Sequence, residues 1–261
     1  MENNFANKLI EWYKINQRDL PWRKTNDPYK IWVSEIILQQ TRIDQGTPYY
    51  LNFINQFPNV KKLSESTLDE LMKVCQGIGY YSRIVNMHKC AKIVFSEYNS
   101  NFPTKYGELI NLPGIGDYTA SAISSICSGE SKMVVDGNVT RLFSRLYNLN
   151  YQQHSSIMKK TIKIIGEKEI LKFNSGDFNQ ALMDYGSMIC TPKKYKCDKC
   201  IFSKSCEAFR LDIVDELPVK KKKITISHRF FNYFLVIDKS SKVKIHKRKE
   251  KDIWYNLYEF E

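Results

Sequence analysis

The 261-residue chain carries 40 Lys and Arg against 28 Asp and Glu, a formal charge of +12, with 43% hydrophobic residues and seven cysteines. That length suffices for two domains with buried cores, and no apolar run approaches the roughly 20 residues needed to cross a membrane as a helix. The amphipathic first 22 residues lack the apolar stretch and cleavage site of a secretion signal, so the cysteines read as thiols of a reducing cytoplasm rather than a disulfide scaffold. The excess of positive charge points to a polyanionic partner, most simply nucleic acid.

Residues 1 to 215 read as almost entirely helical. Apolar side chains recur every three and four positions in Ile31–Gln40, Leu68–Cys75, Arg83–Tyr98 and Thr119–Cys127. Cys75, Cys90 and Cys127 fall within these patterns and are expected to be buried thiols. Pro58, Gly77–Gly79, Pro103 and Leu112–Gly116 punctuate the helices. Leu217-Pro218 then leads into Lys220–Lys223, a charged stretch expected to be a solvated linker. Phe230–Ile237 and Lys242–Lys247 read as two strands joined by a polar turn at Lys239–Ser241. Two strands and a tail cannot build a stable core alone, so they read as the opening of a domain whose remainder the sequence lacks. There is no internal repeat and no low-complexity tract.

Cys190, Cys197, Cys200 and Cys206 are spaced C-x6-C-x2-C-x5-C. One short loop of this pattern can turn four thiolates toward a common centre, and such sites hold zinc or an iron–sulfur cluster. Structural zinc sites usually pair two C-x2-C arms, and only one arm exists here. The lopsided spacing favours a [4Fe–4S] cluster.

Leu112-Pro-Gly-Ile-Gly116, followed by Asp117 and Tyr118, places two glycines between helical segments. Such a turn exposes backbone N–H groups at a helix start, where a phosphate binds without its base being read. This is the helix-hairpin-helix signature of proteins that grip the DNA backbone. Downstream, Val134-Val-Asp-Gly-Asn-Val139 sets an acid at the mouth of a core element. Asp136 there also suits the N-cap of a helix containing Thr140–Tyr147. The four histidines show no ligand spacing and receive no role. Tyr81, Arg83, Lys105 and the Lys-rich stretches read as phosphate contacts or solvated surface.

Together, the hairpin, the following Asp136 and the cysteine loop resemble the endonuclease III superfamily of DNA glycosylases. Within it the chain is similar to the MutY branch, which removes adenine opposite oxidised guanine. Leu20-Pro-Trp-Arg23, Trp32–Thr41, Gly77–Tyr81, Leu112–Tyr118, Val135–Val139 and Phe178-Asn-Gln-Ala181 through Cys206 carry the resemblance. It covers residues 5 to 215 nearly continuously and the rest, to Tyr258, more loosely. It implies a mainly α, two-lobed helix-hairpin-helix core with an iron–sulfur loop, then a short, incomplete β segment. The implied domains are residues 28–132 with the hairpin, 1–27 plus 133–215 around the cluster, a basic linker at 216–229, and the start of a Nudix-like domain at 230–261. No GxxxxxE hydrolase box is present, so pyrophosphatase activity is not expected, and discrimination of oxidised from normal guanine is expected to be weakened.

The resemblance also implies roles. Breaking the N-glycosidic bond of adenine needs an acid for the purine, at N7 in the family, and an anion for the cationic sugar. Glu35 is the implied acid, and Asp136 the stabiliser or transient nucleophile, with Tyr118 and Asn138 assisting. Bifunctional relatives carry a Lys where this chain has Tyr118, so no obvious amine is present to form a Schiff base. The target base must be flipped out of the duplex. Tyr80 is the implied wedge, Gln40 fills space beside it, and Arg23, Leu38 and Gln180 resemble the lining of the adenine pocket. Leu112, Gly114 and Gly116 belong to the phosphate grip. The implied partner is double-stranded DNA with A·8-oxoguanine or A·G mismatches, bound by a cytoplasmic, nucleoid-associated monomer. Three rivals stay open: a glycosylase/lyase using another amine, a catalytically dead DNA-binding module, and a thymine or uracil mismatch glycosylase. Intact Glu35 and Asp136 argue against the second, and Glu35, an acid suited to a purine, against the third.

Overall fold

The computed structural model describes residues 4–171, 173–220 and 228–261. Among them the three- and four-residue apolar repeats become α1 (Phe5–Asn16), α2 (Pro28–Ile37), α3 (Ile43–Gln56), α4 (Val60–Glu65), α5 (Leu68–Val74), α6 (Ser82–Glu97), α7 (Tyr106–Leu109), α8 (Asp117–Cys127), α9 (Gly137–Leu146), α10 (Ser156–Ile170), α11 (Ser175–Met188) and α12 (Glu207–Arg210). Local chemistry fixes their starts. Asp27, Asn59, Asp136, Ser155 and Asn174 each accept a backbone N–H from the first turn, and Thr67 with Glu70 forms a reciprocal capping box.

Two apolar cores divide the helices. One joins residues 29–123 around Trp32, Phe53, Leu71 and Ile84. The other joins α1 to residues 133–217 around Leu9, Phe143, Phe178 and Tyr185. The chain therefore begins in the second lobe, builds the first, and returns at Met133. Helix α11 packs on α1 and α9 within the second lobe and on α8 of the first, so the lobes meet along it.

Three expectations change. Leu38–Gln40 lie beyond the end of α2, and Gln40 takes a left-handed φ of 56°. Cys75 and Cys90 are buried, but Cys127, the last residue of α8, is only half-buried. Phe230–Ile237 is not a strand. It contributes one antiparallel bridge, Ile237 to Val243, across a turn held by Asp238, whose carboxylate accepts the N–H groups of Ser240 and Lys242. β1 (Ile245–Lys247) pairs instead with β2 (Tyr258–Phe260), antiparallel, Ile245 opposite Phe260. The apolar side chains at 230 and 234–237 all remain exposed, so that stretch has no layer to bury a face against. Lys247 donates to Asp69 of α5 at 2.8 Å, tying this segment to the first lobe. Of the expected linker, residues 221–227 lie outside the described residues.

Candidate functional site

Glu35 sits in the last turn of α2, Tyr118 in the first turn of α8, and Asp136 caps α9. Two lobes thus bring three side chains, distant in sequence, to one cleft. Ile36 and Ile37 are buried in the first core, which leaves Glu35 to face the other lobe. By surface area it is half-buried, yet burial dominates its chemistry, as for a group at the bottom of a narrow cleft. Burial pushes the Glu35 carboxyl from an ordinary 4.5 up to about 7, and the negative charge of Asp136 adds to the rise. The Tyr118 hydroxyl and the more distant Arg23 oppose it. Burial with the two carboxylates also raises Tyr118 far above the usual phenol range, so it stays a protonated donor. Its hydroxyl also reaches Met183 Sδ at 3.5 Å.

Asp136 has many more donors. Its carboxylate accepts the Val139 N–H at 2.7 Å and the Asn138 amide at 2.8 Å. Burial still lifts it above the ordinary value, opposed by these hydrogen bonds and by Arg141. Arg141 donates to Asn138 Oδ1 at 2.9 Å and to the carbonyl of Cys190 at 2.7 Å, linking the Asp136 turn to the start of the cysteine loop. Two carboxyl groups in unlike environments can hold unlike protonation states at one pH.

The cleft wall on the second-lobe side is built by charge. Asp184 of α11 is fully buried and accepts Arg18 at Nε (2.7 Å) and Arg23 at both terminal nitrogens (2.7 and 2.9 Å). Burial opposes its ionisation, but the hydrogen bonds and charge of Arg23, then Arg18, outweigh that and hold the carboxyl below its usual range. Arg23 lies 5.7 Å over the ring of Tyr13, whose hydroxyl donates to Gln180 at 2.8 Å. Arg23 and Gln180 are therefore joined by one network. Leu38 packs against α3 at Gly46, where a β-carbon would meet its Cδ2 at 2.7 Å.

Gln40 and Tyr80 lie apart from these groups, on exposed turns, and Tyr80 is 63% exposed with φ 47°. In the hairpin Leu112 is buried. Gly114 has φ +78° and packs so closely on α6 that a β-carbon would meet Asn86 Cβ at 2.8 Å. Gly116, by contrast, is exposed with open space around it. Packing demands glycine at 114; at 116 the fold leaves the start of α8 bare. Asp117, beside it, accepts Lys163 of α10 at 2.6 Å and the Tyr106 hydroxyl at 3.0 Å, crossing between the lobes.

The four cysteines 190, 197, 200 and 206 line one apolar pocket with Leu142, Arg145 and Val214. Among the described residues no group of three or more His, Cys, Asp or Glu closes on a single ion. Four thiolates on one wall are the donor set that zinc or an iron–sulfur cluster takes. Donors already point at the sulfurs: the Tyr185 hydroxyl at Cys200 Sγ (3.1 Å) and Arg145 Nη1 at Cys190 Sγ (3.4 Å). Hydrogen bonds of this kind to sulfur would tune a cluster bound there.

Sequence reasoning missed Arg18, Asp184, Arg141 and Gly186. At Gly186 a β-carbon would lie 2.9 Å from both the carbonyl oxygen and Cβ of Asn138, so α11 comes against the Asp136 turn only because this residue is glycine. The run Phe178–Gly186 held part of the signal, a glycine six residues after Gln180, but nothing in it pointed to the partners of Asp184. The reading of Arg83 as solvated surface fails: it is buried, 7% exposed, and donates to the carbonyls of Ile36 and Ile78.

Residues 33–167 match the family described as HhH-GPD superfamily base excision DNA repair protein. The chain is similar to an adenine DNA glycosylase of Buchnera aphidicola subsp. Schizaphis graminum, with 40% identity over 260 residues that span 98% of this chain and 74% of that protein. Among solved structures it is similar to a thermostable thymine-DNA glycosylase, with a TM-score of 0.73 and 28% identity over 79% of this chain and 95% of that one. A trapped endonuclease III–DNA covalent intermediate shares the fold, with a TM-score of 0.66 and 18% identity over 80% of this chain and 95% of that one.

Proposed function

Because the chain belongs to the HhH-GPD superfamily of base excision DNA repair proteins, we propose that it hydrolyses the N-glycosidic bond of adenine mispaired with 8-oxoguanine or guanine in double-stranded DNA. The observation that carries this reading is the Glu35 carboxyl, held near neutrality in a cleft beside Asp136. Glu35 protonates the flipped adenine, making it a competent leaving group, and Asp136 stabilises the oxocarbenium ion or bonds to it transiently. Asn138 and the helix N-terminus hold Asp136, and Tyr118 serves as a neutral donor between the carboxyls. Arg23, Leu38 and Gln180 bound the base, while Gln40 and Tyr80 enter the duplex it leaves. Leu112, Gly114 and Gly116 form the phosphate grip: Gly114 and Gly116 offer their N–H groups, while Leu112, whose own N–H donates to the Leu109 carbonyl, anchors the turn.

The donor set of Cys190, Cys197, Cys200 and Cys206 fits a [4Fe–4S] cluster, whose contribution here is to order the surrounding loop against DNA. Residues 28–132 serve as the hairpin domain and 1–27 plus 133–215 as the cluster domain of a cytoplasmic monomer. Tyr118, in place of a lysine, makes the enzyme monofunctional. The thymine-DNA glycosylase similarity supports one second reading, excision of a mismatched pyrimidine.

Single-turnover release from duplexes carrying adenine opposite 8-oxoguanine, guanine and cytosine, with thymine opposite guanine alongside, tests this. Fast adenine loss opposite either guanine, with strand cleavage only after alkali, is the expected result. Thymine release instead transfers the activity to the second reading. Borohydride trapping of a covalent adduct would return the lyase. Tight binding without release from any duplex would withdraw the catalytic claim.

A further inference from the structure

Arg83, on α6, carries a guanidinium with no carboxylate partner among the described residues. Its Nη1 donates to the carbonyls of Ile36 (3.0 Å), Ile37 (2.9 Å) and Gln39, and its Nη2 to Thr41 Oγ1 (3.1 Å) and the carbonyls of Ile78 (3.1 Å) and Gly79 (3.5 Å). Nε has no partner. A buried cation without an anion is costly, and a neutral side chain could fill the same volume. The arrangement calls for an explanation beyond packing.

The acceptors supply one. Ile36 and Ile37 end the helix that carries Glu35, where carbonyls lack intrahelical partners and the helix pole is negative. The Gln39 and Gly79 carbonyls belong to the peptide units immediately before Gln40 and Tyr80. Both of those residues hold φ near +50°, at 56° and 47°, which side chains other than glycine adopt only where the surroundings over-determine it. One guanidinium therefore grips both strained turns and the end of α2 at once. We infer that Arg83 is a positioning residue that braces the Gln40 and Tyr80 tips against each other and against the Glu35 helix. It does so by holding the peptide that precedes each tip. The inference rests on the reading above, in which those tips enter the duplex.

The test compares wild type with Arg83→Lys and Arg83→Met on a duplex carrying 2-aminopurine beside the target adenine. Its fluorescence reports unstacking whether or not a base is released. A lysine keeps the charge but cannot span both turns. Arg83→Lys is expected to lose most of the unstacking signal and to slow single-turnover release at least tenfold. Affinity for undamaged duplex should stay within about threefold, and the pH dependence of the rate, set by Glu35, should not move. Retained unstacking and rate in a folded Arg83→Lys protein overturn the inference. So does loss of undamaged-duplex affinity with the rate intact, which would make Arg83 a general phosphate or stability residue. Should neither variant fold, Thr41→Val removes one acceptor at 3.1 Å; a partial loss of signal supports the brace, and a wild-type signal overturns it. A wild type that unstacks the duplex yet releases no adenine sinks the proposed function and leaves the brace standing.

Discussion

Raising the pH should switch this enzyme off by a predictable amount. In the proposed mechanism Glu35 is the acid and must be protonated, and its carboxyl is lifted from 4.5 to about 7. At pH 7 about half the molecules are then active, against about one in 300 for an unshifted glutamate. At pH 9 the protonated fraction falls to about one in 100, so release should slow about fiftyfold between pH 7 and 9. Single-turnover rates at saturating enzyme isolate this step from the salt- and pH-dependent capture of DNA. The same shift carries a stability signature. A pKa raised in the folded state contributes stability that is fully present below the unfolded value of 4.5 and lost as pH rises through about 7. Glu35→Gln, always neutral, escapes that loss. It should match wild type below pH 4.5 and exceed it by about 3 kcal/mol above pH 7, measured by denaturant unfolding. The variant should also show almost no release and no alkaline limb. A rate that stays level to pH 9, or a Glu35→Gln protein no more stable at pH 8 than the wild type, would sink the assignment of Glu35 as a buried acid.

The neighbours of Glu35 should move that limb in opposite directions. Tyr118→Phe removes the hydroxyl that favours the Glu35 anion, so the alkaline limb of the rate should move to higher pH, even as the rate itself falls. Asp184→Asn leaves Arg18 and Arg23 without their buried carboxylate, which should cost about 3–5 kcal/mol in unfolding free energy. Arg23, freed of its counter-charge, should then pull the limb to lower pH; an unmoved limb would show that Arg23 no longer senses Glu35. Gly186→Ala sets a methyl 2.9 Å from the Asn138 carbonyl and should displace the Asp136 turn. The expected loss is about 1–3 kcal/mol by thermal melting and about a hundredfold in release rate. A wild-type rate would mean that the turn is not held in register by α11.

What could be read from the sequence follows the range of the interaction responsible. Helices such as α6 and α8 are written in local spacing, and Asp136 announces itself as both acid and N-cap within four residues. Asp184 does not, because its partners Arg18 and Arg23 stand more than 160 positions away and a lone Asp amid apolar residues carries no sign of them. Arg83 misled for a related reason. Basic charge on a basic chain reads as surface, and only the fold shows that the carbonyls of two turns converge on one point. Phe230–Ile237 had the apolar character of a strand, yet a strand exists only by pairing, and the partner of Ile245–Lys247 is Tyr258–Phe260.

The division of labour between the two carboxyls can be traced to their places on helices. Glu35 stands in the last turn of α2, where burial disfavours its charge and the negative helix pole works in the same direction. The Tyr118 hydroxyl and, more weakly, Arg23 offset this. Asp136 stands at the opposite kind of terminus, capping α9, where bare N–H groups and the positive pole welcome an anion. Each group's protonation state is thus prepared by backbone that packing has already fixed, before any substrate arrives. The fold then brings the two carboxyls close enough that the charge on Asp136 raises Glu35 further. A substitution that separates the lobes without touching either carboxyl should therefore weaken the acid as well as misplace it. Gly186 and Asp117, which hold the two lobes or their turns together, are where that coupling is most exposed.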